Sequence, residues 1–138
     1  GLRYNGFCHA HKEHEVSLAE VHSIDAPFGN RVSSRELLTN MFNQDHQFDG
    51  VCAASDMLAI AAIQSLTAIG RSVPDDVKVV GYDNIEIADL YSPRLTTIHQ
   101  DIKMGGRLLV EAAIRLAEDG QRPTSVLLPT YITSRESA

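Results

Sequence analysis

Phe48-Asp49-Gly50-Val51-Cys52-Ala53-Ala54-Ser55-Asp56 opens a stretch that closes on Val77-Lys78-Val79-Val80-Gly81-Tyr82-Asp83-Asn84, and the pattern between its two ends decides the fold. The first apolar run is too short for a helix and reads as a buried parallel strand over 51–54. Ser55-Asp56 then opens a helix, in which Met57, Ile60, Ala61, Ile63 and Leu66 recur at helical spacing and Ile69 extends the apolar surface. Gly70 stands where a left-handed residue ends such a helix, and residues 73–76 form the turn that follows. Residues 77–82 are the next buried strand. Strand, helix and strand in this order make a parallel unit, so Asp83-Asn84 lies at the carboxyl end of a strand, where open α/β sheets place their ligand crevice.

The same alternation continues outward. Towards the carboxyl terminus the pattern gives a short helical segment over 85–90, a strand over 96–99, a long helix over 102–118 and a last strand over 125–131, with Gly120 and Pro123 in the turn before it. Towards the amino terminus it gives a helix over 2–14, an extended run over 19–24 and a loop broken by Pro27 and Gly29. A helix to about residue 43 follows, capped by Ser33 or Ser34 with Glu36 in the first turn and Leu37, Leu38, Met41 and Phe42 as its buried stripe. The class is α/β.

Composition bounds the function. A length of 138 residues with 43% hydrophobic content is one domain's worth of chain with a real core. The start of the chain has neither the basic nor the apolar region of a secretory signal, and no apolar run is long enough to span a membrane. Cys8 and Cys52 form no CxxC pair, so neither a disulfide framework nor a zinc knuckle is supported, and reduced thiols are the expectation. A formal charge of −6 argues that this segment does not itself grip a phosphate backbone. His9, His11 and His14 crowd one segment beside Glu13 and Glu15, but only His11 and His14 share a helical face, and a solvated helix end is the better reading than a metal site. No cofactor is expected. GxSxG, P-loop, GxGxxG and HExxH motifs are all missing, which sets an enzyme reading aside.

Ala53-Ala54-Ser55-Asp56-Met57-Leu58-Ala59-Ile60, Val73-Pro74-Asp75-Asp76-Val77, Val80-Gly81-Tyr82-Asp83-Asn84 and Pro93-Arg94-Leu95-Thr96-Thr97-Ile98-His99-Gln100 follow one another in this order, with Leu127-Leu128-Pro129 and Arg135-Glu136-Ser137 near the end. Together they resemble the LacI/GalR transcription regulators, and Arg3-Tyr4-Asn5-Gly6-Phe7 looks like that family's arginine-containing helix opening. The resemblance covers nearly the whole chain. It implies a periplasmic-binding-protein-like type I fold in which two α/β lobes clamp a small, sugar-like effector behind a helix-turn-helix headpiece that binds operator DNA. Residues 1–138 would be the carboxyl-terminal lobe with its crossover segments. That lobe is incomplete at its N-terminal side, and the headpiece and the other lobe are absent. Such a regulator is cytoplasmic, contacts no membrane, and reaches DNA only through the absent segment. The alternative is a lobe of an extracytoplasmic sugar-binding protein, which shares the architecture; the Val-Pro-Asp-Asp and Pro-x-Leu-Thr-Thr phrases favour the regulator.

By the same resemblance Arg3, Ser55, Asp83 and Gln100 match effector-binding positions. The chemistry suits them: Arg3 offers fixed donors, Asp83 accepts from neighbouring hydroxyls and Gln100 does both. From position alone, Arg3 is equally a solvated helix residue, Asp83 a cap for the helix near Ile85, and Gln100 a partner for buried backbone. Ser55 reads first as a helix cap, and Asp56 as a carboxylate suited to the helix dipole. Many members stack an aromatic on the effector from the loop that here reads Pro27-Phe28-Gly29-Asn30-Arg31-Val32, where Phe28 is the only aromatic candidate and Asn30 the other occupant of that place. Arg31 or Arg35 would suit an anionic group, although an exposed arginine is the commoner role. Ile60, Ile63, Leu90 and Tyr91 are the expected homodimer surface, pairing with their own copies across a two-fold axis, with ordinary core as the other reading of Ile60 and Ile63.

Overall fold

Ser55 begins the helix that organises the rest. Its side-chain oxygen accepts from the Leu58 N–H at 3.3 Å, which satisfies a first-turn donor, and the helix runs Asp56–Ala68. It stops where the sequence places its terminator. Gly70 has φ +80°, and the Arg71 N–H turns back to the Leu66 carbonyl at 3.0 Å. The computed structural model describes residues 2–17, 21, 23, 31–44, 48–120, 122 and 124–138. Residues 19, 20, 22 and 24 of the expected extended run and the loop carrying Pro27, Phe28, Gly29 and Asn30 lie outside the described residues, as do the side chains of Arg31, Ser33 and Ser34.

In chain order the elements are α1 (Leu2–Glu13), α2 (Arg31–Phe42), β1 (Gly50–Cys52), α3 (Asp56–Ala68), β2 (Lys78–Asp83), α4 (Ile87–Leu90), β3 (Thr96–Gln100), α5 (Ile102–Asp119) and β4 (Thr130–Thr133). They build a four-stranded sheet of order β1-β2-β3-β4. β1, β2 and β3 are parallel, with Val51 opposite Val79 and Val80 opposite Thr96, whereas β4 runs antiparallel to β3. The expected last strand at 125–131 is thus displaced to Thr130–Thr133. Pro129 has no N–H to give a ladder, so pairing begins after it.

α3 lies on one face of the sheet and α2 packs against it. Leu38 and Phe42 from α2 meet Ala59, Ile60, Ala62, Ile63 and Leu66 from α3 in one cluster with Val77, Val79, Ala88 and Leu95. Each fully buried Leu or Val side chain of this cluster contributes about 1.5 to 3 kcal/mol. The burial corrects one expectation. Ile60 is 6% exposed and Ile63 2%, so both belong to this chain's own core, whereas Leu90 is 74% exposed and Tyr91 is half-buried against the core.

Two features fasten the sheet. A Cβ on Gly81 would stand 2.3 Å from Asp56 Oδ1, 2.8 Å from Leu95 Cδ2 and 3.3 Å from Asp56 Cα, so only glycine lets the start of α3 come this close to β2. Ser137, fully buried, joins the beginnings of β2 and β3: its hydroxyl donates to the Val79 carbonyl at 2.6 Å and accepts from the Thr96 N–H at 2.8 Å.

α5 begins with Asp101, whose carboxylate accepts from the Met104 N–H at 2.8 Å, and ends at Gly120, which has φ +64°. Its apolar side chains Leu109, Val110, Ile114 and Leu116 are exposed in this chain, as are Val126 and Leu127. No helix among the described residues is long and apolar enough to cross a membrane.

Candidate functional site

Parallel strands end on one rim, and three of the expected site residues meet there through direct contacts. Asp83 closes β2 and Gln100 closes β3, and the Gln100 Nε2 donates to Asp83 Oδ1 at 2.6 Å. Arg3, near the start of α1, reaches the same rim. Its guanidinium donates to the Ala54 carbonyl just beyond β1, lies 3.8 Å from Asp83 Oδ1 and sits 3.7 Å over the Tyr82 ring. A guanidinium can do all this at once because it is planar and carries five donors.

Ser55 follows Ala54, whose carbonyl Arg3 contacts; it is 7% exposed, and its oxygen caps α3 by accepting from the Leu58 N–H. The capping alternative is the one the geometry supports. His9 pairs with Glu13 at 3.3 Å, and no group of three or more potential metal ligands occurs among the described residues.

Asp83 is held in an unusual way. It has φ +115° and Asn84 has φ +52°, two successive non-glycine residues in backbone regions that side chains disfavour. The turn persists because its groups are tied to distant elements. The Asn84 N–H donates to Thr97 Oγ1 at 3.3 Å and the Ile85 N–H to Asp56 Oδ2 at 2.8 Å. Thr97 in turn donates its hydroxyl to Asp56 Oδ1 at 2.5 Å. Asp56 is thus a fully buried carboxylate joining α3, the turn after β2, and β3. The sequence offered only its place in the first helical turn, and its partners lie too far along the chain for spacing to reveal them.

Burial raises the Asp83 carboxyl above its ordinary value, and the Asp56 charge adds to this; the opposing pull of Arg3 and the Gln100 hydrogen bond is smaller. The ion pair with Arg3 is long and Arg3 is half exposed, which explains why it does not prevail. A carboxyl raised on folding weakens the folded state as pH climbs from the unfolded value through the folded one, and the loss is complete above both. Asp83→Asn is therefore expected to raise the urea midpoint slightly at neutral pH, with the gain vanishing in acid below the unfolded value. A lowered midpoint at neutral pH would show that the attraction to Arg3 outweighs burial.

The cluster presents both donors and an acceptor side by side on the rim. Asp83 Oδ1 is occupied by Gln100 and faces Arg3, whereas Oδ2 takes no hydrogen bond from a described residue.

The profile of the periplasmic binding protein-like domain matches residues 1–138. The chain is 31% identical over 131 residues to the HTH-type transcriptional repressor PurR of Glaesserella parasuis, a match covering 94% of this chain and 38% of that relative's length. Among solved structures it is similar to a transcriptional regulator CelR–cellobiose complex, with a TM-score of 0.88 at 29% identity over 99% of this chain and 42% of that one. It is also similar to the lac repressor dimer bound to operator and the anti-inducer ONPF, with a TM-score of 0.86 at 26% identity over 99% of this chain and 40% of that one.

Proposed function

Because the chain belongs to the periplasmic-binding-protein-like family in its LacI/GalR branch, we propose that residues 1–138 are part of the effector-binding and dimerisation domain of a bacterial transcription regulator, mainly its carboxyl-terminal lobe. The observation that carries this reading is the joined cluster of Arg3, Asp83 and Gln100 at the carboxyl ends of β2 and β3. The bound ligand is a small polyhydroxylated molecule of the sugar type. Its hydroxyls donate to Asp83 and meet the donors of Arg3 and Gln100, as suits a site with few, fixed polar groups. Cellobiose in the CelR complex is a ligand of this chemistry.

Operator contact belongs to a helix-turn-helix segment outside these residues, since a segment of charge −6 gives phosphates little to bind. The similar proteins are named as regulators and not as enzymes, and a regulator that reads the chromosome works in the cytoplasm. The exposed apolar side of α5, with Val126 and Leu127, fits a surface that the rest of the domain covers. Leu90, exposed, and Tyr91 remain the residues for pairing with a second copy across a two-fold axis.

The test is selection of DNA from a random pool by the full protein that contains this chain, followed by competition with mono- and disaccharides. Recovery of one sequence, with retention changed by a saccharide, is the expected result. Failure to enrich any sequence would overturn the regulator reading.

A further inference from the structure

We propose that Arg135 is a positioning residue of this site, acting through Asn84 to lock the left-handed turn on which Asp83 is presented. The inference rests on the reading of Asp83 as the ligand's acceptor, but its geometry stands without a ligand.

Arg135 lies just past β4, and its side chain is only 13% exposed. All three guanidinium nitrogens are engaged. Nε donates to Asp89 Oδ1 at 3.1 Å, one terminal nitrogen to the Leu95 carbonyl at 2.7 Å, and the other to Asn84 Oδ1 at 2.8 Å. Its backbone N–H donates to Thr96 Oγ1 at 2.8 Å, which fixes where the side chain starts. The fork therefore joins the segment after β4, the start of β3, α4 and the turn after β2.

The bond to Asn84 determines more than its own length. A guanidinium only donates, so the Asn84 amide must turn its oxygen to Arg135 and its NH2 to His99 Nδ1, 3.0 Å away. His99 Nδ1 is then the acceptor of this bond. The His99 ring is stacked on Tyr131 with centroids 4.7 Å apart, and in the sheet register His99 lies opposite Asp83. Asn84, the residue next to Asp83 and itself at φ +52°, is held on its oxygen side by Arg135 and on its nitrogen side by His99. A lysine in place of Arg135 has one nitrogen and cannot reach Asp89, Leu95 and Asn84 together.

The experiment is a carbon-13 NMR titration of the Asp83 carboxyl, with hydrogen exchange of the Ile85 amide, in the full protein without ligand. Wild type, Arg135→Gln, Arg135→Lys and Asn84→Gly are compared. The glycine variant tolerates the positive φ and removes only the amide, so it decides the matter if Arg135→Gln does not fold. Opening of the turn to water lowers the Asp83 midpoint towards the ordinary carboxylate value, because burial is what raises it. Loss of a nearby positive charge alone would move it upwards, so the sign separates the two causes. The expected result is a lowered midpoint and at least tenfold faster Ile85 exchange in Arg135→Gln and Asn84→Gly, with no rescue by Arg135→Lys. An unchanged or raised midpoint in the folded variants, or full rescue by lysine, overturns the proposal. Neither readout depends on whether Asp83 binds a sugar, which ligand titration of an Asp83 variant decides separately.

Discussion

Asp56→Ala is expected to destabilise the protein by about 3 kcal/mol or more, because it removes the carboxylate that accepts from both Thr97 and Ile85. Hydrogen bonds to a charged acceptor are worth roughly 1.5 to 3 kcal/mol each, and a buried donor left unsatisfied costs about 1 to 3 kcal/mol. Thr97 and Asp56 are fully buried, so water does not readily replace the lost carboxylate. The alanine also leaves space beside Gly81, whose missing Cβ exists to admit Asp56 Oδ1. Urea denaturation of the full protein reads the change directly. A midpoint within experimental error of wild type would mean that Asp56 is dispensable and that the turn after β2 has another anchor.

The parts of the fold that were legible in the sequence are those governed by neighbours in the chain. The helix of α3 was read from its apolar spacing, its Ser55 cap and the glycine that ends it, all local signals. The place of Asp83 at the carboxyl end of β2 was legible for the same reason, because strand, helix and strand fix the direction of a parallel pair. The roles of Asp56 and Arg135 were not. Asp56 is bonded to residues 29 and 41 positions away, and Arg135 to one 51 positions away, distances over which no spacing rule operates. Ile60 and Ile63 show a second limit, since helical periodicity marks an apolar face without saying whether it meets α2 of the same chain or a second copy. The late start of β4 had a visible cause in Pro129, which the apolar run before it concealed. Ser55 was legible as a cap from its place before α3, and the structure keeps it there.

Asp83→Ala is expected to weaken binding of the sugar-type ligand by roughly ten- to a hundredfold, because a charge-assisted hydrogen bond contributes about 1.5 to 3 kcal/mol. The carboxylate does two things at the rim. Oδ1 fixes the Gln100 amide at 2.6 Å and draws Arg3 to 3.8 Å, while Oδ2 is free among the described residues to accept from a hydroxyl. Alanine removes the acceptor and also releases both neighbours, so the ligand must order them on binding. Folding should survive, since Asp83 is partly exposed and its ionised form gains little from the folded environment. Circular dichroism confirms the fold before affinity is compared. Calorimetric titration of the full protein with cellobiose and a panel of mono- and disaccharides, wild type beside Asp83→Ala, is the most direct measurement of the central claim. The account predicts a saturable heat with at least one of these sugars in wild type and a ten- to hundredfold weaker dissociation constant in the variant; equal affinity in a well-folded Asp83→Ala would contradict it and return Asp83 to a purely structural place in the turn.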